Sequence, residues 1–296
     1  MLSVLIPVYN KSVETLVSDL HKQLKQLDID FEVLILDDAS TNKEHQASNK
    51  TLNTLEKTHY KQLEQNIGRS AIRNKLAQTA RFEWLLFMDC NTGVSQPDFI
   101  KNFITNISNT DLIFGGVCYK KPTSSKYSLR YKYGFLRESK PLSIRKQKPY
   151  LNFTTKCFLI KKTVFELMSF NETISTYGYE DSIFGFDLRN HHFKIKHIDN
   201  PILHKDIDDN LTFVNKTNSS LKNLIEFETL FTDDDFKLLK YYKFLKKTKL
   251  IYPLGYLTKC FKNIIIRIVS LNNTPLFIFD IYRVLTLCEL FINKKS

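Results

Sequence analysis

The sequence predicts an α/β fold, with a mostly parallel sheet flanked by helices and a helical, basic extension at the C-terminus. Three observations carry this. Short apolar runs without polar alternation, the pattern of strands buried on both faces, recur through the first 120 residues. They alternate with segments of helical period, as a parallel sheet with crossover helices requires. Several of the runs stop on acids or amides, at the strand ends where open α/β sheets bind ligands.

In order, Ser3 to Val8 is an apolar run closed by Tyr9 and Asn10, and Val13, Leu16, Val17, Leu20, Leu24 and Leu27 follow at helical spacing. Phe31 to Leu36 is the second run; it ends on Asp37 and Asp38, with Ser40 and Thr41 in the turn. His59 to Gln65 reads as a third strand, and Gly68 to Ala80 as a helix that opens after a glycine. Glu83 to Met88 is the fourth run and Asp111 to Tyr119 the fifth. In the fourth, "LLFMDCNTG" stops on Asp89 and Asn91, a carboxylate and an amide oxygen two residues apart. Oxygen ligands of this kind suit Mg²⁺ or Mn²⁺ where substrate phosphates complete the coordination.

Beyond residue 119 the pattern is less regular, apart from an apolar run at Cys157 to Ile160. The expected division is one α/β domain over 1–230, in two halves at 1–119 and 120–230, then a basic amphipathic helical region over 231–296. Pro275 to Ile292 approaches membrane-span length but holds Asp280, Arg283 and Glu289. Each costs about 2.5–3.5 kcal/mol at a bilayer centre, so no span is expected.

Composition excludes several classes. At 43% hydrophobic and 13% aromatic the chain is globular rather than disordered. Five scattered cysteines without a CxxC pair suggest neither a disulfide framework nor a zinc site. The N-terminal "MLSVLIPVYNKS" lacks the features of a signal peptide, and a cytoplasmic location is expected. The net charge of +12 is local: Lys120 to Lys148 holds ten Lys/Arg against Glu138 alone, and Lys237 to Arg267 nine against no acid. Such clustering points to specific anionic contacts.

Five motifs in order, "VLIPVYN", "ILDDAS", "NIGRSAIRN", "FMDCN" and "GYEDSIFGFDL", resemble the motif set of the family 2 glycosyltransferases, whose fold is the Rossmann-like GT-A type. The resemblance covers about the first 205 residues. It implies inverting transfer of a sugar from a nucleotide diphosphate donor, UDP at the family level, to an acceptor hydroxyl, with Mn²⁺ or Mg²⁺ as cofactor. It places Pro7, Tyr9 and Asn10 beside the nucleoside, with Asp37 or Asp38 accepting a hydrogen bond from the base. Asn66, Gly68 and Arg73 fall on the donor side, Arg73 at the diphosphate. Asp89 becomes the metal or ribose ligand; Asn91 stands where the family motif has a second Asp, and His204 in "PILHKD" completes the metal set. Asp181 is the implied catalytic base, and Glu180 orients the acceptor or holds that base. A positioned carboxylate is what an acceptor hydroxyl needs to become a nucleophile.

The Lys120 to Lys148 stretch, interleaved with Tyr127, Tyr131, Tyr133 and Phe135, occupies the acceptor-site position, where Arg130 and Arg137 would meet a phosphate or acidic sugar; a solvated loop is the alternative. The tail from Lys237 to Arg267 mixes lysines with Leu, Ile, Tyr and Phe, which suits an interfacial helix on anionic lipid or a helix packed on the protein. The expected partners are a nucleotide-sugar, a glycan or glycolipid acceptor and the inner face of the cell membrane, and no nucleic acid. The rival readings are a nucleotidyltransferase, which calls for a glycine-rich basic loop that "PVYNKS" is not, a polyanion- or nucleic-acid-binding protein, and a non-catalytic relative.

Overall fold

β1 (Leu2–Val8), α1 (Glu14–Lys25), β2 (Phe31–Asp37), α2 (Lys43–Lys50), β3 (Thr58–Gln62), α3 (Arg69–Thr79) and β4 (Trp84–Met88) alternate as expected in the computed structural model, which describes residues 1–174, 178–230 and 236–295. β1, β2, β3 and β4 are parallel neighbours in the order β3-β2-β1-β4. Every residue of β4 and all but Pro7 of β1 are buried, which is why these runs carry no polar alternation. α1 turns Leu16, Val17, Leu20 and Leu24 inward. β3 ends at Gln62, short of the expected Gln65, and is an exposed edge strand.

The next elements are β5 (Thr92–Gly93), α4 (Phe99–Ile104), β6 (Leu112–Phe114), β7 (Val117–Tyr119), α5 (Ser128–Tyr133), α6 (Leu142–Gln147), β8 (Cys157–Lys161), α7 (Lys162–Leu167), α8 (Glu180–Asn190), β9 (Ile195–His197) and β10 (Ile202–His204). β8 enters the main sheet antiparallel to both β4 and β6, and β9 closes it beside β6. The seven-stranded sheet runs β3-β2-β1-β4-β8-β6-β9, and a second sheet runs β5-β10-β7.

The run expected as one strand from Asp111 to Tyr119 is two strands in two sheets. Gly115 and Gly116 make the break. Gly116 has φ +99°, and a Cβ there would lie 2.9 Å from the Arg145 guanidinium; one on Gly115 would lie 2.1 Å from the Asn200 carbonyl oxygen. The buried Arg145 fixes the break by donating to the carbonyls of Phe114 (3.3 Å), Gly115 (3.1 Å) and Ile198 (2.9 Å) and to His197 Nδ1 (3.2 Å). Burial, with Arg145 adding to it, pushes the His197 pKa down to about 4, so the ring stays neutral and accepts that bond. Arg145→Met removes four buried hydrogen bonds from the break and is expected to cost about 3 kcal/mol, read as a lowered urea midpoint with unchanged slope.

The Lys120 to Lys148 stretch is not an open loop; α5 and α6 lie within it. Arg130 is 3% exposed with its guanidinium over the Phe213 ring, so as folded it does not face solvent as an acceptor clamp would, while Arg137 is exposed and pairs with Asp280 at 2.8 Å. The C-terminal helices are α9 (Asn210–Glu226), α10 (Lys237–Lys247), α11 (Ile251–Val269) and α12 (Leu276–Lys295). Leu129, Phe213, Val214, Val269, Phe279 and Tyr282 form the core there. No helix among the described residues is long and apolar enough to cross a membrane.

The chain groups into two compact units. One comprises Met1–Lys120, Glu138–Ser175 and Phe184–Asp206, and the other Lys121–Arg137, Thr176–Ile183 and Ile207–Ser296. The boundary expected at residue 231 falls on residues outside those described.

Candidate active site

In the first unit the carboxyl ends of β1, β2 and β4 gather the polar residues that follow them. Asn10 takes φ +52°, a left-handed conformation that asparagine tolerates. Its backbone N–H donates to Ser40 Oγ (2.7 Å), and its Oδ1 accepts from the N–H groups of Thr41 (2.7 Å) and Asn42 (3.0 Å). Asn10 thereby pins the loop after β2. Tyr9 beside it is half exposed, and Pro7 is partly buried at the strand end.

Asp37 and Asp38 are both buried. Asp37 Oδ1 accepts from the Ser40 N–H (2.7 Å) and Oδ2 from the Tyr60 hydroxyl (2.7 Å), a bond that together with burial raises the Tyr60 pKa. Asp38 reaches the following motif: its Oδ1 accepts from the Ile67 N–H (2.7 Å), its Oδ2 from the Gly68 N–H (3.0 Å), and its carbonyl from Asn66 Nδ2 (3.0 Å). Gly68 has φ +86°, caps α3, and has nothing within 4 Å of where a Cβ would be, so the chain is open to a ligand at this turn.

α3 aims the buried Arg73 at the end of β4. Its Nη2 pairs with Asp89 Oδ1, its Nη1 donates to the Arg69 carbonyl (3.0 Å), and its guanidinium lies over the Phe170 ring, 5.6 Å from the centroid. Asp89 is held in turn by the backbone, its N–H on the Lys156 carbonyl (2.9 Å) and its carbonyl accepting the Thr92 hydroxyl (2.7 Å). Asn91 Nδ2 donates to His204 Nε2 across 3.3 Å, which makes Nε2 the unprotonated ring nitrogen. The buried Asn91 Oδ1 accepts from no donor of the chain.

Among the described residues no cluster of three His, Cys, Asp or Glu could hold a metal, because Asn91 takes the place of an acid. An orphaned amide oxygen beside an imidazole nitrogen and a carboxylate is nevertheless a donor set for a divalent ion, and it fits Mn²⁺ better than Mg²⁺. Cys90, between the two ligand positions, is no nucleophile: burial, with Asp89 adding to it, pushes its thiol up to about 11.

Glu180 and Asp181 belong to the second unit and open α8. The buried Glu180 accepts the Gly178 N–H at 2.8 Å, fixing the turn before its helix, while Asp181 at the next position is partly exposed. Gly178 has φ +104°, and a Cβ there would lie 2.2 Å from Ser220 Cβ; Asn223 donates to its carbonyl at 2.8 Å. Tyr179, also left-handed at φ +68°, offers its hydroxyl to Arg283 Nη2 at 3.5 Å. Residues 175–177, just before this motif, lie outside the described residues.

The profile of glycosyl transferase family 2 matches residues 3–168. The chain belongs to this family. Its fold is of the GT-A type, and solved structures of the same fold include Staphylococcus aureus TarS, residues 1–349 (19% identity, TM-score 0.51, 73% of this chain and 63% of that one). Another is the mannosyltransferase PcManGT from Pyrobaculum calidifontis, in complex with GDP-Man and Mn²⁺ (15% identity, TM-score 0.51, 76% and 64%). The chain thus spans just under two thirds of each of these structures. No curated protein matches it. The family match takes in the strand-end residues from Pro7 to Asn91 and stops before Glu180, Asp181 and His204.

Several residues that shape this site carried no signal in the sequence. Phe170 under Arg73 and Tyr119, whose ring lies 5.3 Å from that of His204, arrive from distant segments and follow no local spacing, and Thr92, three residues after Asp89, caps its carbonyl unannounced.

Proposed function

We propose that this glycosyltransferase transfers a sugar, with inversion, from a nucleotide diphosphate-sugar to a hydroxyl of a glycan or glycolipid. The observation that carries the donor reading is the Arg73, Asp89, Asn91 and His204 group at the carboxyl ends of the strands, with its orphaned amide oxygen. UDP remains the family-level donor; TarS is solved with UDP-GlcNAc and PcManGT with GDP-Man, so the same fold serves both bases.

In this reading the nucleoside sits by Pro7, Tyr9 and Asn10, against the loop that Asp37 and Asp38 hold in shape. Asp89, Asn91 and His204 would hold Mn²⁺ or Mg²⁺, which supplies charge stabilisation for the leaving diphosphate. Arg73 exchanges its bond with Asp89 for one with a diphosphate oxygen. Asp181 takes the acceptor hydroxyl proton as that oxygen bonds the anomeric carbon; the bond from that carbon to the phosphate oxygen breaks, and the nucleoside diphosphate leaves with the electron pair. Glu180 holds the helix turn that presents Asp181. The acceptor meets the enzyme at a membrane where glycolipids are assembled.

Incubating the protein with UDP- and GDP-sugars and assaying the nucleoside diphosphate released tests this. Release from one nucleotide class, lost on chelation and restored by Mn²⁺, is the expected result; none from any donor in folded protein would contradict it.

A further inference from the structure

α11 carries an apolar stripe that the fold leaves uncovered. Leu257, Phe261, Ile264 and Ile268 follow at intervals of four, three and four, within an arc of about 60° and over about 17 Å of helix. Each is about half exposed, from 48% for Phe261 to 56% for Ile264. The buried positions of the same helix, Ile251, Gly255, Thr258 and Val269, lie on a different face. Scattered apolar residues on a surface are ordinary, but a continuous stripe of this kind marks a contact.

Charge identifies the occupant. From Phe236 to Lys295 the acids are Asp280 and Glu289, and both are engaged by bases, Asp280 by Arg137 (2.8 Å) and Glu289 by Lys262 (2.7 Å). Lys240, Lys247 and Lys249 in and after α10, and Arg267 beside the stripe, are exposed. α10 adds Tyr241 and Phe244, each more than half exposed. A second copy seated on the stripe would bring these cations against their own images. A bilayer with anionic headgroups takes both features at once, since acyl chains accept the apolar side chains and headgroup phosphates the lysines.

We infer that α10 and α11 form a docking face for anionic lipid, with the α11 stripe in the plane of the headgroup-acyl boundary. This rests on the membrane-borne acceptor reading above and gives it a surface.

The test is co-sedimentation of the full chain with vesicles of equal parts phosphatidylserine and phosphatidylcholine, or of phosphatidylcholine alone, at low and high salt. Two variants accompany the wild type: Phe261→Ser with Ile264→Ser, and Lys247→Glu with Lys249→Glu, each confirmed folded by its melting curve. Binding to the anionic vesicles at low salt, about tenfold or more weaker on neutral ones and in both variants, is expected. Nucleoside diphosphate release from a soluble donor stays within about twofold in the variants, because the site is untouched; loss of vesicle binding with release retained therefore separates this inference from the transferase reading. No binding to anionic vesicles, or equal binding by the variants, would overturn it, as would a dimer that the stripe substitutions dissociate without any lipid binding.

Discussion

Asp181→Asn is expected to lower kcat by about a thousandfold while donor affinity stays within about twofold. The substitution keeps size and shape and removes the proton acceptor, and general-base catalysis of this kind contributes about 10²–10⁴-fold. The Glu180 bond to the Gly178 N–H, which fixes the turn before α8, is left in place. Glu180→Gln is the control: it weakens the bond to the Gly178 N–H by about 1 kcal/mol and reduces kcat less, since the base remains. The measurement is a kcat and KM pair for each variant with donor dissociation constants taken separately. Unchanged kcat in Asp181→Asn would reject the base assignment; a matching loss of donor binding would make the residue a donor ligand.

The second large effect is at Asp89. Its partner Arg73 has an 8% exposed side chain and no other anion bonded to it, so Asp89→Leu leaves a buried charge unpaired and should cost about 3 kcal/mol or more. Arg73→Met costs less, about 1 kcal/mol, because the 24% exposed Asp89 side chain can be hydrated. The double variant recovers most of the stability lost in Asp89→Leu, since two apolar groups replace a buried ion pair. Donor binding is lost in all three. Denaturant midpoints with donor titrations check this. Restored stability with restored binding would reduce the pair to a structural role, and a double variant no more stable than Asp89→Leu would contradict the coupling.

Strands buried on both faces write themselves as unbroken apolar runs, so β1, β2 and β4 were legible, as were the acids and amides that close them. Legibility failed where long-range contacts decide. Asp111 to Tyr119 reads as one strand, and only the approach of Arg145 and Asn200 to Gly115 and Gly116 shows why it divides between two sheets. Arg130 looks like a solvent-facing charge until Phe213 folds against it. At the site, order and spacing pointed to Asp89, Asn91 and His204, and β5 and β10, paired antiparallel at Thr92 and His204, account for their meeting. The sequence also could not show that Asp37 is wholly enclosed, or that Arg73 and Asp89 bond each other.

The most direct measurement is a thermal-shift screen of nucleoside diphosphates and nucleotide-sugars, with and without Mn²⁺, on the wild type and on the Arg73→Met, Asp89→Leu double variant. A ligand at 100 times its dissociation constant stabilises by about 2.7 kcal/mol, well within detection. A metal-dependent shift with one nucleotide class, absent from the double variant, is the predicted result. No shift in folded wild-type protein, or a shift that persists in the double variant, would contradict a donor site built on Asp89.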